Sequence, residues 1–295
     1  MISVSEWVPS YGDPHQLEDD HDYATVWEHP QLQAIECTPG PRPLLAFVDG
    51  VRRGEALLYL EKSTALAGVL GVGAAVPGSG YAGVRVERVF LRSQELGLPP
   101  QPGGWNWRSL SIPLDLNPGM ALQRAMRQAE AEVGLELSRQ GYTVVLDGPM
   151  QVASGRTLGY VKTQQRLLLP PEQAEGLQSL GPGQRSSLFG WGEKHGCYVR
   201  LGRLVGHQHP YHRLVRLETM GEAQVSRALL HEAAGWLPDF AGVTHLDPRA
   251  PQNLQPIAGL EKELRRRCGD PGLALRAVRQ AVAQLHKEER WSESA

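Results

Sequence analysis

Hydrophobic positions fall into β-type runs through much of the chain and into helix-period stripes towards its end. The run LLAFVD is apolar up to Asp49 and Gly50, and GEALLYLE and ALAGVLGVGAAV follow with KST between them, which predicts three successive hairpin-linked strands. Residues 77–118 are punctuated by PGSG, PPQPGGWNW and NPG, with one alternating run, VRVERVFL, and read as an insertion holding a half-exposed strand. GMALQRAMRQAEAEVGLELSRQG, between two glycines, predicts an amphipathic helix of about twenty residues that leads into the strand YTVVLDG. RTLGYVKTQQRLLLP reads as a further strand and PEQAEGLQSL as a short helix with Pro171 in its first turn. CYVRLG and HRLVRLET are strands, and EAQVSRALLHEAAGWL, IAGLEKELRRRCG and LALRAVRQAVAQLHKEE are helices by period. Residues 1–40 mix acidic and aromatic positions, end in CTPGPRP and read as an arm or cap; 41–287 form one domain, and 288–295 a polar tail without fixed structure.

This order predicts an α/β fold with a mixed sheet and flanking helices. When a helix carries the chain back after two hairpins, the strand that follows pairs in parallel with the first strand. Asp49 and Asp147, both followed by glycine at a strand end, then become neighbours at one sheet edge. An Asp-Gly turn accounts for either one alone. Two carboxylates placed side by side fit a shared divalent cation with oxygen ligands.

Composition narrows the chemistry. Net charge is −2, so a polyanionic partner must meet a local patch, and the 30 basic residues comprise 25 Arg and five Lys. Cys37, Cys197 and Cys268 are odd in number and never form a CxxC pair, which argues against a disulfide framework or a thiolate zinc site. No apolar run reaches about 18 residues and the first residues lack a basic, then apolar, leader pattern, so a cytoplasmic protein without a membrane span is expected. GxxxxGK[ST], GxSxG and HExxH are all missing, and GVGAAV lacks the third glycine of a dinucleotide fingerprint. His207, His209 and His212 lie together in GHQHPYHRL, where solvated turn histidines are favoured over a metal site.

The helix offers the third acid. With Met126 at the centre of its apolar face and about 100° per residue, Ala129, Val133 and Leu137 stay within about 60° and Glu130 within about 40°. Glu132 and Glu136 fall about 120° and 80° away on the other side. Glu130 is therefore read as a metal ligand with Asp49 and Asp147, the alternative for all three glutamates being solvent-facing charge. Lys162, on the strand after Asp147, suits an ammonium that holds a phosphate or orients water, or else an edge lysine that blocks strand pairing. Arg52 and Arg53 suit phosphate-backbone contacts or a solvated hairpin. Tyr160, Trp105 and Trp107 suit base stacking or plain packing.

FVDGVRR, then AMRQAEAEV ahead of VVLDGP, then LGYVKT and HLDPRAPQNLQPIAGLEKELRRR, in this order over residues 44–280, resemble the NurA nuclease family. The resemblance implies a ribonuclease-H-like sheet and a two-metal, manganese-preferring deoxyribonuclease with Mg²⁺ as the alternative ion. It also implies a 5′–3′ exonuclease and single-strand endonuclease acting on single- and double-stranded DNA ends, in end resection and double-strand break repair. The partner it implies is the hexameric HerA translocase, met by a ring-like homodimer. Relatives carry a histidine near the end of the domain where this chain has Glu261, and His245 in THLDPR is the nearest substitute. The competing readings are a non-catalytic adaptor of the same fold that binds HerA or DNA, and a metal-dependent phosphatase.

Overall fold

Strand β4, Leu45–Tyr59, is the longest strand among the described residues and pairs with three others, which places it at the middle of the fold. The computed structural model describes residues 3–6, 23–59, 63–94, 98, 101–151, 155–162, 167–203, 211–243, 245 and 250–293. The N-terminal strands are β1 (Ser3–Glu6), β2 (Thr25–Val26) and β3 (Ala34–Glu36). After β4 come β5 (Thr64–Val76), β6 (Gly80–Arg92), β7 (Trp107–Ser111), helix α1 (Pro118–Arg139), β8 (Thr143–Asp147) and β9 (Thr157–Val161). The second half holds α2 (Pro171–Ala174), β10 (Gln184–Ser186), β11 (Phe189–Trp191), β12 (Lys194–Arg200), β13 (Leu214–Met220), α3 (Ala223–Trp236), α4 (Gln255–Cys268) and α5 (Pro271–Glu293).

One mixed sheet joins the strands in the order β2-β11-β12-β13-β9-β8-β4-β5-β6-β7, with β1 beside β4, and β10 between β12 and β3. The expected parallel return is present: β8 pairs with β4 from Leu45↔Thr143 to Val48↔Leu146. β9 adds in parallel on the far side of β8, and β13 pairs antiparallel with β9. The chain is thus a mixed α/β protein, and among the described residues no helix is long and apolar enough to cross a membrane.

Four expectations change. The first two predicted strands are one, because β5 stays paired with β4 through Asp49↔Gly73 and Gly50↔Val72 and on to Tyr59↔Thr64. Apolar side chains at Val51, Ala56 and Leu58 remain buried, so the ladder has no reason to break at the glycine. The 77–118 stretch supplies β6 and β7, which form one flank of the sheet rather than a detached excursion. The N-terminal arm threads strands into the sheet at β4, β11 and β10. The tail expected to lack structure is helical through Glu293. His207 and His209 lie outside the described residues, and His212 is half-buried.

Two faces are covered differently. α1, started by Asn117 accepting from the amides of Gly119 and Met120, lays Met126, Ala129, Val133 and Leu137 on Ala46, Val48, Leu70 and Val144. On the opposite face α4 sets Ile257, Leu260 and Leu264 against a core containing Leu45, Phe47, Val51 and Val145, which α3 extends with Leu229, Leu230 and Ala233. Side chains alternate along a strand, so Asp49 shares the α4 face with Phe47 and Val51, while Gly50 turns towards α1.

Candidate metal centre

Asp49 and Asp147 are the next residues after the last parallel pair, Val48↔Leu146, which sets them side by side where β8 ends. Glu261 reaches the same point from α4, on the face that Asp49 shares. Asp49, Asp147 and Glu261 each offer an oxygen within 4.8 Å of the others, and among the described residues this is the group able to hold a metal ion. Asp49 is 6% exposed, and the side chains of Asp147 and Glu261 are 11% and 13% exposed. Every donor is a carboxylate, which suits Mg²⁺, Mn²⁺ or Ca²⁺ rather than a thiolate- or imidazole-seeking ion.

Lys162 is part of the group. Its Nζ donates to Asp147 Oδ2 at 2.5 Å and to Asn253 Oδ1 at 3.1 Å, and lies 4.0 Å from Glu261 Oε1. The edge-lysine reading does not fit, because β9 is flanked by β8 on one side and β13 on the other.

Glu130 has the rotation that the helical period predicts. It is buried at 5% exposure, whereas Glu132 is exposed and bound to Arg85 at 2.6 Å, and Glu136 is also exposed. It approaches the acids from the α1 side and is not one of the three that converge. Its carboxylate fills the space above Gly50: a Cβ there would lie 2.7 Å from Glu130 Oε1 and 2.8 Å from Met126 Cγ. One turn earlier on α1, Arg127 Nη1 donates to the Asp147 carbonyl oxygen at 2.6 Å and lies 3.4 Å from Glu130 Oε2. A Cβ on Gly148 would sit 2.9 Å from Arg127 Nη2, and the residue has φ +123°, a region that favours glycine.

The electrostatics are those of a site short of positive charge. Burial pushes Asp49 well above the ordinary carboxylate range, Asp147, Glu130 and Glu261 add repulsion, and Lys162 opposes it. Burial pushes Glu130 up to about 7, Arg127 opposing and Asp147 reinforcing the rise. Asp49 Oδ2 and Glu130 Oε1 are both shut off from solvent without a well-formed hydrogen bond, Glu130 having only a weaker contact with the Gly50 backbone. Buried acceptors are normally satisfied, so an orphaned oxygen on one of the three converging acids and another on the neighbouring Glu130 fit a cation-binding site.

The other candidates are placed as follows. His245 is exposed and is not in the converging group. Arg52 is exposed and donates to Gln123 Oε1 at 3.0 Å. Arg53 is engaged inside the protein: it donates to Glu55 Oε1 at 2.8 Å, to the Gly269 carbonyl at 3.0 Å and to the Cys268 carbonyl at 3.4 Å. Glu55 sits in the β4 bulge between Gly54 and Ala56, and Arg88 joins it there while donating to the Cys268 carbonyl at 3.0 Å. Two guanidiniums thus cap the C-terminal end of α4, where the helix dipole favours cations. Tyr160 is fully buried and donates to the Gln252 carbonyl at 2.6 Å, so it stacks on no base. Trp107 is buried against Phe90 with ring centroids 4.6 Å apart, and Trp105 lies under Arg88.

No protein-family model matches the chain, and no curated protein does. Among solved structures, the crystal structure of the NurA nuclease from Sulfolobus solfataricus aligns over 90% of this chain and 88% of that one, with 10% identity and a TM-score of 0.47. At that level it bears on neither site nor activity, which rest on this chain's own residues.

Proposed function

We propose that the chain is a divalent-metal-dependent deoxyribonuclease of ribonuclease-H-like plan, cutting DNA ends as NurA-type nucleases do. The observation that carries this reading is the convergence of Asp49, Asp147 and Glu261 at one sheet edge, where Asp49 keeps an orphaned oxygen and Glu130 brings a second from the α1 side. Asp49, Asp147 and Glu261 would hold one ion, and Glu130, on the α1 side, would supply a carboxylate to a second. Hard divalent ions at such a site supply positive charge at a phosphoryl oxygen and make water more acidic.

The chain's own residues do the rest. The acids hold no net positive charge of their own, so an approaching phosphodiester is repelled until cations are bound. Lys162 places an ammonium within the group, able to donate to a non-bridging phosphate oxygen. Arg127 fixes the end of β8 through the Asp147 carbonyl and so keeps that carboxylate at the edge. Exposed Arg52 is the nearby group for a backbone phosphate. His245 is left as a solvent-side contact. In this reading Mn²⁺ or Mg²⁺ is the cofactor, DNA ends are the substrate, HerA is the partner, and a homodimer is the working form.

The test is cleavage of end-labelled single- and double-stranded DNA by the purified protein. Degradation with Mn²⁺ or Mg²⁺ and none with chelator is expected; intact DNA under every metal condition would sink the assignment.

A further inference from the structure

Lys162 stands where a cation belongs. Its Nζ contacts Asp147 Oδ2 and lies 4.0 Å from Glu261 Oε1, two of the three carboxylates that converge, and its remaining contact is the amide oxygen of the fully buried Asn253. Its charge also acts on Asp49, whose buried Oδ2 has no partner. We propose that Lys162 is the resident counter-ion of the metal-free site and an internal competitor for the divalent ion, so that ion binding and release of the ammonium are a single exchange.

This rests on the divalent-ion reading of the site. A divalent ion and an ammonium cannot both take Asp147 Oδ2 at 2.5 Å without strong mutual repulsion, because both would sit on one oxygen in a partly buried setting. Without any counter-charge, however, three adjoining carboxylates that are largely out of solvent would be costly to fold together. Lys162 resolves the conflict by serving the empty site and yielding to the ion. It follows directly on β9, which lies between β8 and β13 in the sheet, so release asks for rotation of a four-carbon stem rather than a shift of the sheet. The ammonium, once displaced, stays within the site and is the nearest donor for an incoming anion. Affinity for metal and readiness for a phosphate are then coupled through one side chain.

The experiment uses the full chain, Mn²⁺ alone and no nucleic acid, with isothermal titration calorimetry at pH 8. Lys162→Met keeps the stem and removes the charge; it is expected to bind Mn²⁺ about tenfold more tightly while the metal-free protein melts at a lower temperature. Lys162→Gln, a second uncharged variant, should tighten binding in the same direction, and Lys162→Arg should return it towards wild type. A merely structural lysine would weaken or leave unchanged the affinity of both uncharged variants, and that result overturns the exchange. Wild-type protein that binds Mn²⁺ while neither variant tightens removes this inference and leaves the metal reading standing; wild-type protein that binds no divalent ion removes both.

Discussion

Asp49–Gly50 and Asp147–Gly148 are the same dipeptide on adjacent parallel strands, and they do different things. At Asp49 the strand continues, with Gly50 in the ladder opposite Val72. At Asp147 the strand stops and Gly148 turns away with φ +123°. Yet each glycine yields its side-chain space to α1: Gly50 to the carboxylate of Glu130 and the side chain of Met126, and Gly148 to the guanidinium of Arg127. The spacing of Arg127 and Glu130, three residues, puts both on one helix face. The glycines therefore serve close approach of a charged helix face to the acids, and only the second also makes a turn.

The two aspartates also differ in their charge partners, which gives the largest expected effect. Asp49→Asn and Asp147→Asn should each lower metal-dependent cleavage by about a thousandfold, since each removes an ion-binding oxygen without removing volume. Their effects on the metal-free fold should have opposite signs. Asp49 carries a buried oxygen with no partner, whereas Asp147 is paired with Lys162 at 2.5 Å. Thermal melting at pH 8 without metal should thus rise by about 2 °C for Asp49→Asn and fall by about as much for Asp147→Asn. Equal shifts of one sign would erase the distinction.

Next in size are the glycines. Gly148→Ala should destabilise by about 2 kcal/mol, through strain at a positive φ and a clash with Arg127, with Mn²⁺ affinity lowered only indirectly as the hold of Arg127 on the Asp147 carbonyl loosens. Gly50→Ala meets Glu130 Oε1 and Met126 Cγ instead, so it should cost about 1–3 kcal/mol and weaken Mn²⁺ binding as the carboxylate is pushed aside. Denaturant melts alongside Mn²⁺ titrations separate the two; a Gly50→Ala protein with wild-type metal affinity would show that Glu130 plays no part in binding.

The smallest effect is a slope. Glu130 is held at about 7, above its ordinary 4.5, so its proton contributes stability that is full below about 4.5 and lost as pH rises through about 7. Metal-free protein should lose stability across that window, saturating Mn²⁺ should offset the loss, and Glu130→Gln should flatten the metal-free slope. An unchanged slope in Glu130→Gln would place its titration elsewhere.

What the sequence revealed follows from which signals are local. The parallel neighbours β4 and β8 were legible from element order, because a helix return after two hairpins leaves few alternatives. Burial of Glu130 was legible from rotation about α1, and the same arithmetic works on α4. Counting about 100° per residue from Ile257, Leu260 and Leu264 fall about 60° and 20° to one side and Glu261 about 40° to the other, which puts its carboxylate at the border of the buried stripe. Expecting a histidine there hid a signal that the position itself carried. The engagement of Arg53 was not legible, because it depends on a bulge at Glu55 and on the end of α4, more distant in sequence than any pattern reaches. Nor does any local pattern show that VRVERVFL joins β5, since a half-exposed strand looks alike at a sheet flank and in an excursion.

The guanidinium cap on α4 bears on the order in which the protein comes into being. Asp49, Glu130, Asp147 and Lys162 all lie in the first two-thirds of the chain, whereas Glu261 rides on a helix made after β10 to β13 and α3. That helix is fastened by Arg53 and Arg88, residues of strands already laid down. The strands made before it hold only two of the three converging acids, with Lys162 beside one of them. The third acid arrives only with α4, so a chain that ends before that helix carries Asp49 and Asp147 without the residue that completes the converging group.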